Sequence, residues 1–528
     1  VLALRRGIDV TKPAITPAGR NDWWLIPIAW AQLLDPGVPG VIGRPGGVCE
    51  IHRSHLPLLR AAGLPVPATP EVPEVDEDRG VTYRPWQRRA RAWMETRRGT
   101  LIVAEPRMGK TSLALTLHDP KTGPLVILAP LDVRQVWVDW IERVFPGADV
   151  LCLEGRTLDV AAIRKADFIF CHYDIAAHQH LLALAPGTLI VDEAHLLANV
   201  GSQRSKAVRN FAILAKRVIV LTGTPLWNST KGLWPLLTIA NPGAWGSSPF
   251  NFNQRHCSPV PGEYGWIYGE ISNEEEWHQR RAEVVFQADW RTERPDLTPT
   301  IRRFVDVDID STAFDELDIT AEALRDAAVE DSTIGAINRY RQATAKLKVP
   351  AVAAAALALA GPSIIWSWHK DVAKATAKLI NEAGRHAYMI HGDMPVAKRM
   401  ATLDAWRDDP YGALAATLSV GQVGLDLSHA SDTLFTEIDW TPAVVYQGEM
   451  RGFDPTRVMT STFFRVRHPV EQLLVDKVVA KLARGAASAM PAAGSGFDLS
   501  TDEPVDEALL AKLNEIVSGG AGAFSGER

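Results

Sequence analysis

At 528 residues the chain exceeds what one hydrophobic core can serve, and about three or four domains are expected. Hydrophobic residues make up 46%, enough for substantial cores, while a net charge of −6 excludes a whole-protein basic field, so any contact with nucleic acid must be a local groove. The cysteines Cys49, Cys152, Cys171 and Cys257 include no Cys-x-x-Cys pair, which argues against a zinc site or a disulfide scaffold and fits a reducing compartment.

Residues 1–64 read as a small N-terminal accessory module rich in aromatic and Gly-Pro elements, with Trp23, Trp24 and Trp30 close together. These tryptophans fit the core of a small β-rich module, or a platform on which unpaired bases stack. Residues 65–80, acidic and rich in proline, read as an extended linker. From 81 to 242 strand-like runs alternate with helical patterns, with strands expected at Leu101–Ala104, Leu125–Ala129, Phe168–Cys171, Thr188–Asp192 and Val218–Thr222. A polar or helical bridge occupies 243–349. A second alternating block at 350–484 has expected strands at Ser363–Trp366, Ala387–Ile390, Ala413–Thr417 and Thr433–Glu437, and an Ala/Gly/Ser-rich flexible tail covers 485–528. The pattern predicts an α/β fold of mainly parallel sheets with helices on both faces. No signal peptide is visible, and the apolar run Ala351–Ala360 is too short to span a bilayer, so no membrane contact and an intracellular, cytoplasmic chain are expected.

Three strand ends carry chemistry. The first expected strand runs into Ala104-Glu-Pro-Arg107-Met108-Gly109-Lys110-Thr111-Ser112, a short turn that opens a helix. Such a turn cradles phosphate oxygens with backbone N–H groups and a helix N-terminus; Lys110 would reach the β/γ-phosphates and the Thr111 hydroxyl a Mg²⁺ ion. A later strand ends in Asp192-Glu193-Ala194-His195, and the next in Thr222-Gly223-Thr224-Pro225. Each motif alone has an ordinary structural explanation as a loop, a capped helix start or a turn. All three at strand C-termini, where open α/β sheets bind ligands, point to a nucleotide site.

By its motifs the chain resembles the superfamily 2 helicase-type ATPases, and within them the Swi/Snf-type DNA translocases of the annealing-helicase branch, including phage-encoded relatives. Tyr83-Arg-Pro-Trp-Gln87 is similar to the adenine-side motif, and Leu128-Ala-Pro130-Leu131 with Gln135-Val-Trp137 to the first nucleic-acid-contacting motif. Thr222–Asn228 with Leu233-Trp234 and Asn241-Pro242, Thr417–Leu427, and Glu437–Arg451 resemble the later motifs in order. The resemblance implies two tandem RecA-like lobes with the small module in front of them, and ATP and Mg²⁺ as cofactors. It implies DNA as partner, duplex or forked rather than RNA, alongside replication or recombination proteins. It places Gln87, Arg107, Met108, Gly109, Lys110, Thr111, Ser112, Gly424 and Asp426 at the nucleotide, and Thr111 and Asp192 at the metal. It implies that Glu193 orients the attacking water, that His195 links hydrolysis to Thr222–Thr224 unless it is an ordinary helix-start histidine, and that Arg451 or Arg457 serves as arginine finger.

Departures from the family pattern are Arg107 for Gly, Ala198 for Lys, Asp426 for Asn, and Asp454 where the second arginine of the final motif belongs. An arginine finger contributes about 10³–10⁵ in kcat, so a carboxylate there predicts weakened hydrolysis. The alternatives are an ATP-binding nucleic-acid scaffold with little turnover and an unwinding helicase acting on single-stranded DNA or RNA. Arg134, Arg204, Lys206, Trp227 and His369 are candidate DNA-facing groups, with an ordinary surface or core position as the default.

Overall fold

A computed structural model describes residues 15–466 except 19–21, 36, 154, 156–158, 224–229, 263–264, 269–270, 295, 297–300, 310–332, 422–424 and 439–441. The expected tail, Gly424, Trp440 and the segment Thr224–Asn228 with Trp227 therefore lie outside the described residues. Those up to Arg294 form one compact unit and those from Asp296 onward a second.

The first unit begins with a four-stranded antiparallel sheet of β1 (Thr16–Pro17), β2 (Trp23–Pro27), β3 (Ile42–Arg44) and β4 (Val48–His52), in the order β1-β2-β4-β3. Its core is Ile26, Trp30, Ile51 and Leu59. Trp23 is buried edge-on against His52, with ring centroids 5.6 Å apart. Of the three tryptophans Trp23 and Trp30 are therefore core, and Trp24 is half-buried. The expected linker ends in a two-residue strand, β5 (Glu77–Asp78), paired antiparallel with β6 (Val81–Thr82).

The main sheet of this unit has seven parallel strands: β7 (Gly99–Ala104), β8 (Leu125–Leu128), β9 (Val150–Cys152), β10 (Phe168–Cys171), β11 (Thr188–Val191), β12 (Arg217–Thr222) and, past a small hairpin of β13 (Val260–Gly262) and β14 (Gly265–Ile267), β15 (Val285–Ala288). Its order is β15-β7-β12-β11-β8-β10-β9. β7, β8, β10 and β11 are buried at every position, because helices cover both faces and an interior parallel strand must be apolar throughout. The sequence shows these strands plainly for that reason.

The second unit holds a six-stranded parallel sheet of β16 (Ile301–Val307), β17 (Ser363–Ser367), β18 (Ala387–Ile390), β19 (Ala413–Thr417), β20 (Asp432–Phe435) and β21 (Thr460–Val466), in the order β16-β21-β20-β17-β19-β18. Trp366, Trp406, Leu414 and Phe435 centre its core. Each of two parallel sheets with flanking helices is a RecA-like lobe.

The segment read as a bridge contributes to both lobes. Helices Pro249–His256 and Glu274–Arg281 and strand β15 belong to the first, and β16 belongs to the second. Both strands lie at sheet edges and are only partly buried; β16, Ile-Arg-Arg-Phe-Val-Asp-Val, alternates between exposed and half-buried along most of its length. Edge strands of this kind lack the continuous apolar run that marks an interior one, and their polar composition hides them.

Candidate nucleotide site

Sheet order sets the site. β7, β12 and β11 are consecutive neighbours, and Thr222 pairs with Val103 while Val191 pairs with Val220. The turn after β7, the Thr222-Gly223 end of β12 and the Asp192-Glu193 end of β11 thus share one sheet edge. The chain order of the three motifs does not reveal this, because β12 comes last in sequence yet sits in the middle.

The turn after β7 has Arg107 at φ 65° and Gly109 at φ 92°, both left-handed. An arginine there carries backbone strain of about 1–2 kcal/mol, so the loop must be held. Three side chains near the start of helix Pro85–Glu95 hold it by successive carbonyls. Arg84 Nη1 donates to Arg107 O (2.9 Å), Trp86 Nε1 to Met108 O (3.1 Å) and Gln87 Nε2 to Gly109 O (3.0 Å). A trans peptide points its N–H opposite to its C=O. The Gly109 and Lys110 N–H groups therefore turn away from that helix, as a phosphate cradle requires. From another side Trp290 Nε1 donates to Pro106 O (3.0 Å), and the Trp290 N–H donates to Glu105 Oε2 (2.6 Å).

Lys110, first residue of helix Lys110–Thr116, donates through Nζ to Ala104 O (2.6 Å) and Glu105 O (3.1 Å). A Cβ on Gly223 would stand 3.3 Å from that Nζ, which brings the β12 end against the lysine. Ser112 Oγ donates to Gly109 O (3.1 Å) and lies 3.4 Å from Gln87 Nε2. Thr111 is half-buried beside it.

Asp192 and Glu193 are both buried. Asp192 Oδ1 accepts the Glu193 N–H (2.8 Å), Oδ2 accepts Trp137 Nε1 (3.0 Å), and Tyr173 OH donates to the Asp192 carbonyl. Burial and the adjacent Glu193 charge push the Asp192 carboxyl up to about 6, with the Lys110 ammonium pulling the other way. Glu193 stands at φ 46°, and its Oε2 lies 3.5 Å from His195 Nδ1, itself 3.4 Å from Thr222 Oγ1.

This donor set suits a small hard cation. Among the described residues no three His, Cys, Asp or Glu side chains gather as a metal cage. A hydroxyl and one carboxylate, completed by phosphate oxygens and water, is the way Mg²⁺ is usually held. Two adjacent buried carboxylates, one of them with a raised pKa, are a place where such a cation relieves repulsion.

The remaining expected residues lie in the second unit. Helix Pro442–Gly452 carries Gln447 and Arg451, and buried Arg451 donates through Nε to Gly421 O (3.0 Å). That helix ends before Asp454, because Pro455 disfavours helical backbone in the residue ahead of it. The Asp454 carboxylate closes a turn by accepting the Thr456 N–H (2.9 Å) and Oγ1 (2.7 Å). Arg457 Nη2 donates to the carbonyls of Ser428 and Ala430. Asp426 is exposed and accepts the Ser428 N–H at 3.0 Å. His369 Nδ1 is 2.6 Å from Glu437 Oε1, Arg204 and Lys206 are exposed on helix Gln203–Leu214, and Arg134 is half-buried.

A family model described as the SNF2-related domain matches residues 86–297, and one described as the helicase conserved C-terminal domain matches residues 351–452. Residues 86–297 thus match an SNF2-related domain and residues 351–452 a helicase C-terminal domain. One similar protein is the SWI/SNF-related matrix-associated actin-dependent regulator of chromatin subfamily A-like protein 1 of Xenopus tropicalis, 24% identical over 72% of this chain and 42% of its own length. Another is the DNA annealing helicase and endonuclease ZRANB3 of Bos taurus, 25% identical over 70% of this chain and 36% of its own. The chain thus spans less than half the length of these two relatives. Among solved structures, the Sulfolobus solfataricus SWI2/SNF2 ATPase core domain is 17% identical, covering 85% of this chain and 99% of that one, with a TM-score of 0.40.

Sequence reasoning did not find Arg84, Trp86 or Trp290 as loop anchors, nor Trp137 and Tyr173 as partners of Asp192. For the tryptophans and Tyr173 the only signal is a buried N–H or O–H that must find an acceptor, and the exposed Arg84 carries none.

Proposed function

We propose that the protein is an ATP-dependent DNA translocase or helicase-like motor, which hydrolyses ATP with Mg²⁺ to move on or remodel duplex or forked DNA. The observation that supports this most is the shared edge of β7, β12 and β11. It brings a phosphate loop, two buried carboxylates and the Thr222 hydroxyl end together in an SNF2-related domain. In this reading Lys110 neutralises the β/γ-phosphates, Thr111 and Asp192 hold Mg²⁺, and Glu193 orients and deprotonates the attacking water. Positioning and charge neutralisation supply most of the catalysis in phosphoryl transfer. The name of one relative, a DNA annealing helicase and endonuclease, supports the DNA and annealing-helicase assignment; a role in replication or recombination rests on the motif resemblance. A phage source and a cytoplasmic location belong to the same reading; no helix among the described residues is long and apolar enough to cross a membrane.

The test is ATP hydrolysis by wild type and Glu193→Gln with no nucleic acid, single-stranded DNA, duplex, forked DNA and RNA. Stimulation by duplex or forked DNA, lost by at least about 10²-fold in Glu193→Gln, is expected. Stimulation by RNA alone would replace DNA as the track.

Arg451 is the better finger candidate, since it keeps its spacing from Gln447 on one helix while Arg457 is spent on two carbonyls. Arg451→Ala should lower kcat by about 10³-fold or more, the scale of an arginine finger. Arg457→Ala should lower Tm and leave kcat near wild type. A second reading, a nucleotide-binding scaffold with little turnover, takes its support from the engagement of both arginines within their own lobe. Nucleotide binding without hydrolysis on every track would favour it.

A further inference from the structure

Trp137 makes a hydrogen bond that the phosphate-loop chemistry leaves unexplained. It sits on helix Arg134–Val144, which follows β8, and its ring is completely buried. An indole has one donor, and a buried donor needs an acceptor. The acceptor is Asp192 Oδ2, 3.0 Å away, at the tip of the neighbouring strand β11. Oδ1 is taken by the Glu193 backbone N–H at 2.8 Å, so one donor stands on each oxygen and the plane of the carboxylate is fixed. The backbone donor belongs to the strand end itself. The indole donor belongs to a different element, a helix whose outward side exposes Gln135, Val136, Asp139 and Glu142.

We propose that Trp137 is a positioning residue for the cation that accompanies the nucleotide: its N–H holds Asp192 in the orientation that receives a divalent metal and ties helix Arg134–Val144 to that carboxylate. The proposal rests on the nucleotide-site reading above. Groups that orient a metal ligand from behind typically account for about 10–100-fold in metal affinity. Displacement of this helix by anything bound to its exposed side would act on the metal site through a single hydrogen bond.

Equilibrium binding of a fluorescent ATP analogue, titrated against free Mg²⁺ and repeated in EDTA, tests this with wild type, W137F and D192N. W137F should need roughly tenfold more free Mg²⁺, or more, for half-maximal binding, with its affinity in EDTA unchanged. In D192N the Mg²⁺ dependence should largely disappear. A wild-type Mg²⁺ curve for W137F overturns the role of Trp137 and leaves the site reading intact, whereas a wild-type curve for D192N overturns the site reading. Because Phe leaves a gap in a packed core, 3-benzothienylalanine at position 137 supplies a second variant with the indole shape and no N–H. It must reproduce the shift, and if it binds as wild type does the proposal fails.

Discussion

At the scale of single residues, Gln87 is bonded to the phosphate loop itself. The motif resemblance assigns it to the adenine edge, yet its Nε2 donates to Gly109 O and its Oε1 accepts the Arg84 N–H at 2.8 Å. Its amide works as a latch on the phosphate loop. Two or three net hydrogen bonds of about 1 kcal/mol each are at stake, so Gln87→Ala should raise KM for ATP roughly tenfold or more. If the amide read the base, the variant would instead lose preference between ATP and GTP. Parallel KM measurements on both nucleotides distinguish these outcomes. Arg107 shows the same economy: a residue that strains the loop is tolerated because Arg84 fixes its carbonyl.

At the scale of elements, the N-terminal sheet is fastened to the first lobe by buried charge. Arg53 pairs with Asp22 (3.0 Å) and Glu283 (3.2 Å), and Glu283 also pairs with Arg97 (2.9 Å). Asp22 Oδ2 accepts the Arg98 N–H at 2.6 Å. Glu283 precedes β15, so one carboxylate joins the N-terminal sheet, the end of the first lobe's opening helix and the edge strand. Breaking such a network from one side leaves two buried guanidiniums short of a counter-charge, a loss of about 3–5 kcal/mol. Glu283→Ala should therefore lower stability by several kcal/mol in denaturant unfolding of the full chain, while a surface change such as Glu275→Ala should leave it near wild type. Removing residues 15–64 would cause the same damage, so a truncation by itself cannot report on DNA recognition.

At the scale of the whole molecule, buried histidines set the acid limit. His118, hydrogen-bonded to Thr188 Oγ1 (3.0 Å) and packed on Phe145 and Phe168, is held down to about 4 by burial, as is His256 among Trp245, Phe252 and Trp277. The unfolded chain protonates these groups near 6.5, so it takes up protons first as pH falls. Their stabilisation is complete above about pH 6.5 and is lost progressively toward pH 4. Each shift corresponds to no more than about 3 kcal/mol. Melting temperature should fall across that window, and His118→Asn should flatten part of the slope. An unchanged slope in that variant would show that other groups carry the acid sensitivity.

The sequence by itself determined most of the interior strands, the phosphate loop, the paired carboxylates and the tandem α/β organisation. These are legible because a strand buried on both faces must be continuously apolar, and because phosphate chemistry needs small and charged residues at its carboxyl end. It left β9, β15, β16 and β21 unseen, since short or only partly buried strands admit polar residues, and it put Asp454 at the second arginine's place in the final motif, which lies beyond the end of helix Pro442–Gly452. Tertiary structure alone decided that β12 stands between β7 and β11, and that side-chain N–H groups of Arg84, Trp86, Gln87 and Trp290 hold the loop while that of Trp137 holds the carboxylate. Pairing order and hydrogen-bond partners are properties of distance between remote residues, which a linear pattern of hydropathy does not encode.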